Sequence, residues 1–187
     1  KQDQMRLKTL RRRNADTVKQ SEEALADRIL CVHGTDIHTE KMDYRALAAR
    51  AKEDRVTGKG KHRSKKRFGS SIAGHAPARF LCILNRKLSY IGKELHLVDT
   101  RKYRASQFDH VTGGYTKVSL STRWKEVGGH PVQRDLYSAF LLMNAAGDEH
   151  PDIARCNDTF ETFLKFHDTC ICELKEAGIS RPATFGL

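Results

Sequence analysis

The chain has 187 residues and a mass of 21.2 kDa, enough for one domain with a real core. It is 39% hydrophobic and 30% charged, and its 34 lysines and arginines against 23 acids leave a formal net charge of +11. This balance favours a nucleic-acid partner over a neutral one. An anionic membrane surface is the less favoured partner, since no apolar run approaches ~18 residues and no signal-peptide pattern opens the chain.

In chain order, residues from about Gln4 to Leu30 lack proline and glycine and repeat apolar groups at helical spacing, with Arg11, Arg12 and Arg13 on the helix. These arginines suit a phosphate contact and equally a solvated turn. His33-Gly34 is a helix stop. Thr35 to Glu40 alternates as a short strand, and Met42 to Ala51 is helical. From Arg55 to Lys93 there are eleven lysines and arginines and no acid. The first part of that window, 55–71, is a Gly- and Lys-rich loop or lid carrying Lys61, Arg63, Lys65, Lys66 and Arg67. Ala76-Pro77 opens an amphipathic helix to about Tyr90, with Phe80, Leu81, Leu84, Leu88 and Ile91 on one face. Glu94 to Val98 is a strand.

Residues 105–131 carry hairpin signals at Gly113-Gly114 and Gly128-Gly129. Val132 to Ala145 is the strongest apolar helix. Asp158 to Ala177 is a final helix, in an acidic tail, for which the sequence suggests packing or a partner face. Helices alternating with short strands predict an α/β class with part of the sheet missing. The five cysteines are odd in number and lack a Cys-x-x-Cys pair, which points to reduced, cytosolic thiols. Asp109, His110 and His130 are a weak metal set, and a zinc-free hairpin is the expectation there. Phe108, Tyr115 and Trp124 are candidates for stacking bases.

Two carboxylates flank the basic window. Glu40 closes a strand, where it can point toward a cleft, but on local grounds it suits an ordinary surface acid better. Asp135 lies in the first turn of an apolar helix, where it also suits a capping or dipole-pairing role.

A set of motifs bears on that choice. Thr39-Glu40-Lys41-Met42-Asp43-Tyr44 continues to Ala51. It is followed in order by Lys65-Lys66-Arg67-Phe68-Gly69, Ala76-Pro77-Ala78 and Leu84-Asn85-Arg86-Lys87-Leu88. Then come Ala105-Ser106-Gln107-Phe108-Asp109-His110, Leu120-Ser121-Thr122-Arg123-Trp124 and Val132-Gln133-Arg134-Asp135-Leu136. Over about residues 10–145 this series resembles the TnpB-type proteins, transposon-encoded relatives of type V CRISPR effectors.

The resemblance implies the C-terminal part of an RNase H-like (RuvC) nuclease fold, with an inserted zinc-free hairpin and a C-terminal helix. By position it implies an Arg-rich bridging helix over 1–34, a core over 35–104 with the basic lid at 55–71, a hairpin insert over 105–131, a third-motif helix over 132–147 and an acidic helical tail over 148–187. It implies RNA-guided cleavage of DNA, with Glu40 and Asp135 as ligands of a two-metal Mg²⁺ site that would also accept Mn²⁺. The arginines and lysines named above, with Ser106, Gln107, Arg123 and Arg134, would lie near nucleic acid. Guide RNA, target DNA and an N-terminal segment or chain bearing the family's first catalytic Asp would be the partners, in a prokaryotic-type, nucleoid-associated cytoplasmic setting. Many relatives carry four zinc-binding cysteines where residues 108–130 here have none, so a four-thiolate site is excluded in that stretch. The rival readings are a non-cleaving guided DNA-binding protein, such as a repressor, and an inactive transposase remnant.

Overall fold

The computed structural model describes residues 2–49, 69–119, 121–147 and 149–177. The lid residues Lys61, Arg63, Lys65, Lys66 and Arg67 lie outside them. The chain divides into two compact units, one of Lys1–Ile37 with Met42–Leu95, the other of His38–Lys41 with His96–Leu187. The expected boundary at 34/35 is not where the division falls. The first strand belongs with the C-terminal residues, because its only strand partner among the described residues comes after residue 95.

In the first unit, α1 (Gln2–His33) is the expected long helix, extended at both ends. After α2 (Tyr44–Ala48), α3 (Gly69–His75) converts the end of the expected loop into helix. α4 (Pro77–Ser89) follows, with Ala76 before it in a left-handed conformation. The core lies between α1 and α4, where Ala26, Ile83 and Leu84 are buried beside Ile29, Leu30, Phe80 and Leu81. Leu88 is also buried, whereas Ile91 is exposed past the helix end. Ile83 packs inward in its stead.

Charge pairing locks the same two helices together. Arg79 donates to both carboxylate oxygens of Glu22, at 2.6 and 3.1 Å. Arg86 donates to Glu23, and Lys87 lies between Glu23 and Asp27. Three cations of the acid-free window are therefore matched by acids on α1, and Lys93 donates to the Thr35 hydroxyl. Periodicity placed these cations on the helix, but the matching acids lie some sixty residues away.

The second unit contains a parallel pair, β1 (His38–Glu40) with β2 (His96–Val98), in the register Glu40 to Val98. α5 (Thr100–Tyr103) and a 3-10 turn, Ala105–Gln107, lead into an antiparallel pair, β3 (Phe108–Asp109) with β4 (Gly114–Tyr115). A hairpin follows, β5 (Trp124–Val127) and β6 (His130–Gln133). Its two-residue turn is Gly128-Gly129, with φ of 57° and 79°, the left-handed pair that a twisted hairpin requires. Val132 and Gln133 are thus strand, and helix α6 (Arg134–Met143) starts two residues later than its apolar pattern suggests. α7 (Ile153–Glu176) ends the described chain.

The core of this unit gathers Val98, Tyr103, Phe108, Val127, Val132, Tyr137, Phe140, Leu141 and Cys156, with Phe160 and Phe163 of α7 against them. The Tyr103 hydroxyl donates to the carbonyl of Leu141. Aromatic contacts such as Phe140 to Phe163, with centroids 4.6 Å apart, give α7 a packing role. Phe166 of the same helix faces solvent. Among the described residues, no helix is long and apolar enough to cross a membrane.

Candidate active-site cleft

Glu40 and Asp135, 95 residues apart in the chain, line one cleft of about 400 Å³ within the second unit. Thr100, Arg104, Ser106, Gln107 and Ser138 complete its polar wall, with Ala139 and Leu142 as apolar floor. Two elements bring the carboxylates together. Glu40 ends β1, and the carboxyl ends of parallel strands are where α/β sheets open crevices. Asp135 is in the first turn of α6, which packs on both β1 and the 3-10 turn.

The chain is pinned on each side of Glu40. Lys41 N–H donates to Val98 at 2.8 Å, and the Thr100 hydroxyl donates to the Lys41 carbonyl at 3.0 Å. Asp99 caps α5 by accepting from the N–H groups of Arg101 and Lys102, which hold its carboxyl below the usual range. Glu40 itself is half-buried, and loss of water pushes its carboxyl above the ordinary value. A cation at the cleft would reverse that penalty.

The capping role open to Asp135 is filled by another residue. Gln133 Oε1 accepts from the N–H groups of both Asp135 and Leu136, each at 2.8 Å, and so closes the helix start. The Asp135 carboxylate, 54% exposed, is left facing outward from the first turn. Gln133 is fully buried, and its own N–H donates to Nε2 of His167 on α7 at 2.9 Å. Nδ1 of His167 in turn lies 2.8 Å from Asp168.

The other sequence-predicted residues divide. Ser106 and Gln107 line the cleft. Arg11, Arg12 and Arg13 are exposed on α1, with Arg12 4.0 Å from Asp16. Arg123 is half-buried at the hairpin entry, where its carbonyl accepts from Arg134 N–H. Arg134 is turned inward rather than toward a ligand. It donates to the Ser119 carbonyl at 3.2 Å, while its buried Nε, without a hydrogen bond, lies 3.5 Å from Asp135 Oδ1. Its position beside Asp135 in sequence carried the expectation, but its side chain packs under the helix start.

The weak metal set in the hairpin region is otherwise engaged. Asp109 accepts from the turn N–H groups of Val111 and Thr112. His110 is buried with Nδ1 2.7 Å from the Tyr137 hydroxyl, and His130 packs on Phe160. Of the stacking candidates, Phe108 is buried, Trp124 packs edge-on against His167, and Tyr115 is 39% exposed. His38 and His96 face each other across the parallel pair with ring centroids 4.7 Å apart, at the end of β1 remote from Glu40.

Sequence reasoning missed Thr100, Arg104 and Ser138 as cleft residues. Arg104 had a local signal in its place two residues before Ser106-Gln107. Neither a known protein-family model nor a curated protein matches this chain.

Proposed function

We propose that the chain is the catalytic portion of a divalent-metal-dependent DNA endonuclease of RNase H-like fold, RNA-guided and of transposon origin as its motifs suggest. The observation that carries this reading is the convergence of Glu40 and Asp135 on one cleft beside Ser106 and Gln107.

The donor set suits Mg²⁺ or Mn²⁺. Two carboxylates, three hydroxyls and an amide offer hard oxygens, and no thiol or imidazole is among the described lining residues. Bound there, such ions supply the Lewis acidity that activates water and offsets charge on the leaving oxygen. Asp135 is oriented by the Gln133 cap rather than consumed in it. Glu40, already partly out of water, gains most from an opposing charge. The Ser106 hydroxyl is suited to donate to a phosphate oxygen and so hold the strand in register, whereas the Thr100 and Ser138 hydroxyls already donate to the Lys41 and Arg134 carbonyls. A third carboxylate, expected from an N-terminal segment or chain, would complete the ligand set. The open edges of the three-residue pair β1–β2 are suited to receive additional strands from it.

The test is cleavage by the full-length protein with its RNA. Mg²⁺-dependent nicking of DNA is expected, abolished by Glu40→Gln or Asp135→Asn while DNA binding persists. Cleavage at the wild-type rate in either variant refutes the assignment, and binding without any cleavage by the wild type favours the guided-repressor reading.

A further inference from the structure

Among the described residues, Arg104 is the one cation lining the cleft, and its surroundings are unusual in three respects. Its backbone sits at φ 48° and ψ 47°, the left-handed region that residues with a Cβ avoid at a cost of roughly 1–2 kcal/mol. That conformation is fixed from both sides. Arg104 N–H closes α5 onto Thr100, and its carbonyl accepts from Gln107 N–H at the 3-10 turn. A glycine would satisfy the same geometry without strain, so the backbone alone does not account for an arginine.

The side chain is placed as well. Its guanidinium lies 4.0 Å from the centroid of the Tyr115 ring, which itself rests on buried Phe108 at 4.9 Å. The β3–β4 register sets Phe108 opposite Tyr115, and Thr116 N–H donates to the Gln107 carbonyl at 2.8 Å. The stacking platform is thereby tied to the same turn that carries Ser106 and Gln107. Stacking occupies the face of the guanidinium and leaves its edge, with the N–H donors, available.

The third respect is electrostatic. Two carboxylates share the cleft with Arg104, yet among the described residues it forms no ion pair with either. Nearby Lys102, in contrast, pairs with Glu149. An unpaired, preoriented arginine beside two potential metal ligands is suited to an anion that arrives together with the cation.

We propose that Arg104, stacked on Tyr115, is the phosphate-binding residue of this cleft, gripping a backbone phosphate of the nucleic-acid strand next to the carboxylate pair. This rests on the nuclease reading for the identity of the substrate, though not for the anion site itself. Its role is to fix the strand in register, with Tyr115 holding the guanidinium edge-outward. The competing role is purely structural, a cation–π clamp that joins the turn to the β3–β4 hairpin.

The two roles separate by experiment on the full 187-residue chain. Binding of a fluorescein-labelled 12-nucleotide single-stranded DNA is followed by anisotropy across a salt series, and Mn²⁺ binding by the loss of its free electron-spin-resonance signal. Arg104→Gly removes the side chain and also relieves the backbone, so its melting temperature should equal or exceed that of the wild type. It should weaken oligonucleotide binding about fivefold and lower the dependence of log K on log salt by about 0.7, the loss of one phosphate contact on a single strand. Mn²⁺ binding should hold or tighten, since a positive charge has left the neighbourhood of two carboxylates. Arg104→Lys should keep the salt slope, and Tyr115→Leu should lower affinity without changing it.

Unchanged oligonucleotide affinity and slope in Arg104→Gly overturn the proposal, as does a fall in its melting temperature with no binding loss at temperatures where it is folded. If Glu40→Gln and Asp135→Asn leave Mn²⁺ binding untouched while Arg104→Gly still loses the phosphate contact, the metal reading fails and the anion site stands.

Discussion

Nε2 of His167 accepts the backbone N–H of Gln133 inside the protein, at 2.9 Å. This one bond connects the last helix to the start of the helix that bears Asp135. The Gln133 N–H is the final ladder position of β6 before α6 begins, and it has no route to water. Replacing His167 with alanine leaves a buried donor without an acceptor, a loss of about 1–3 kcal/mol. Denaturant unfolding should report that loss, with His167→Gln, which keeps an acceptor oxygen, recovering part of it. Equal stability for His167→Ala and wild type would show that the bond contributes nothing.

His110 should make the second unit acid-sensitive. Burial lowers its basicity, nearby Lys125 lowers it further, and Asp109 opposes both. The folded-state value is thus below the unfolded value, near 6.5. Its contribution is fully present above the unfolded value and is lost as pH falls through the depressed folded one. Melting temperature should therefore decline on acidification below about pH 6.5 more steeply in the wild type than in His110→Asn. Parallel pH profiles for the two proteins would contradict this.

The ion pairs on α1 should be unequal. Glu22 is 8% exposed and receives two donors from Arg79, whereas Glu23 meets Arg86 and Lys87 near the surface. Glu22→Gln leaves the Arg79 charge unmatched against a buried partner, while water substitutes readily at Glu23. Thermal melting should fall further for Glu22→Gln than for Glu23→Gln, and more salt should widen the gap, chiefly by weakening the exposed pairs.

Glu40 should oppose folding until a cation arrives. Its carboxylate is partly desolvated, so Glu40→Gln should raise the melting temperature in the absence of divalent ions, on the order of 1–3 °C. Millimolar Mn²⁺ should raise the melting point of the wild type and leave that of Glu40→Gln unmoved. A wild-type protein indifferent to Mn²⁺ would count against the cleft as a cation site.

How far the sequence foretold these features depends on the range of the interaction. The long helix at the N-terminus, the helix opened by Pro77 and the Gly128-Gly129 hairpin follow from local pattern, and each is present with small shifts of boundary. Glu40 and Asp135 were legible through their motifs, although their meeting is a tertiary fact. The Gln133 cap was hidden because Asp135 is the commoner capping type and lies only two positions on. The pairing of Arg79, Arg86 and Lys87 with α1 was hidden because a charge run in sequence does not show which acids lie opposite. Arg104 was passed over because a left-handed arginine leaves no trace in hydrophobic periodicity.

The parallel pair β1–β2 has a consequence for biosynthesis. Its two strands are separated by the whole stretch from Lys41 to Leu95, so Glu40 emerges from the ribosome long before its neighbour. Pairing must wait for that loop to close, which entropy makes slow, and the opposing carboxylate follows only with the start of α6. A nascent or prematurely terminated chain therefore carries half a cleft, and Glu40 stands without its facing carboxylate until translation has passed Asp135.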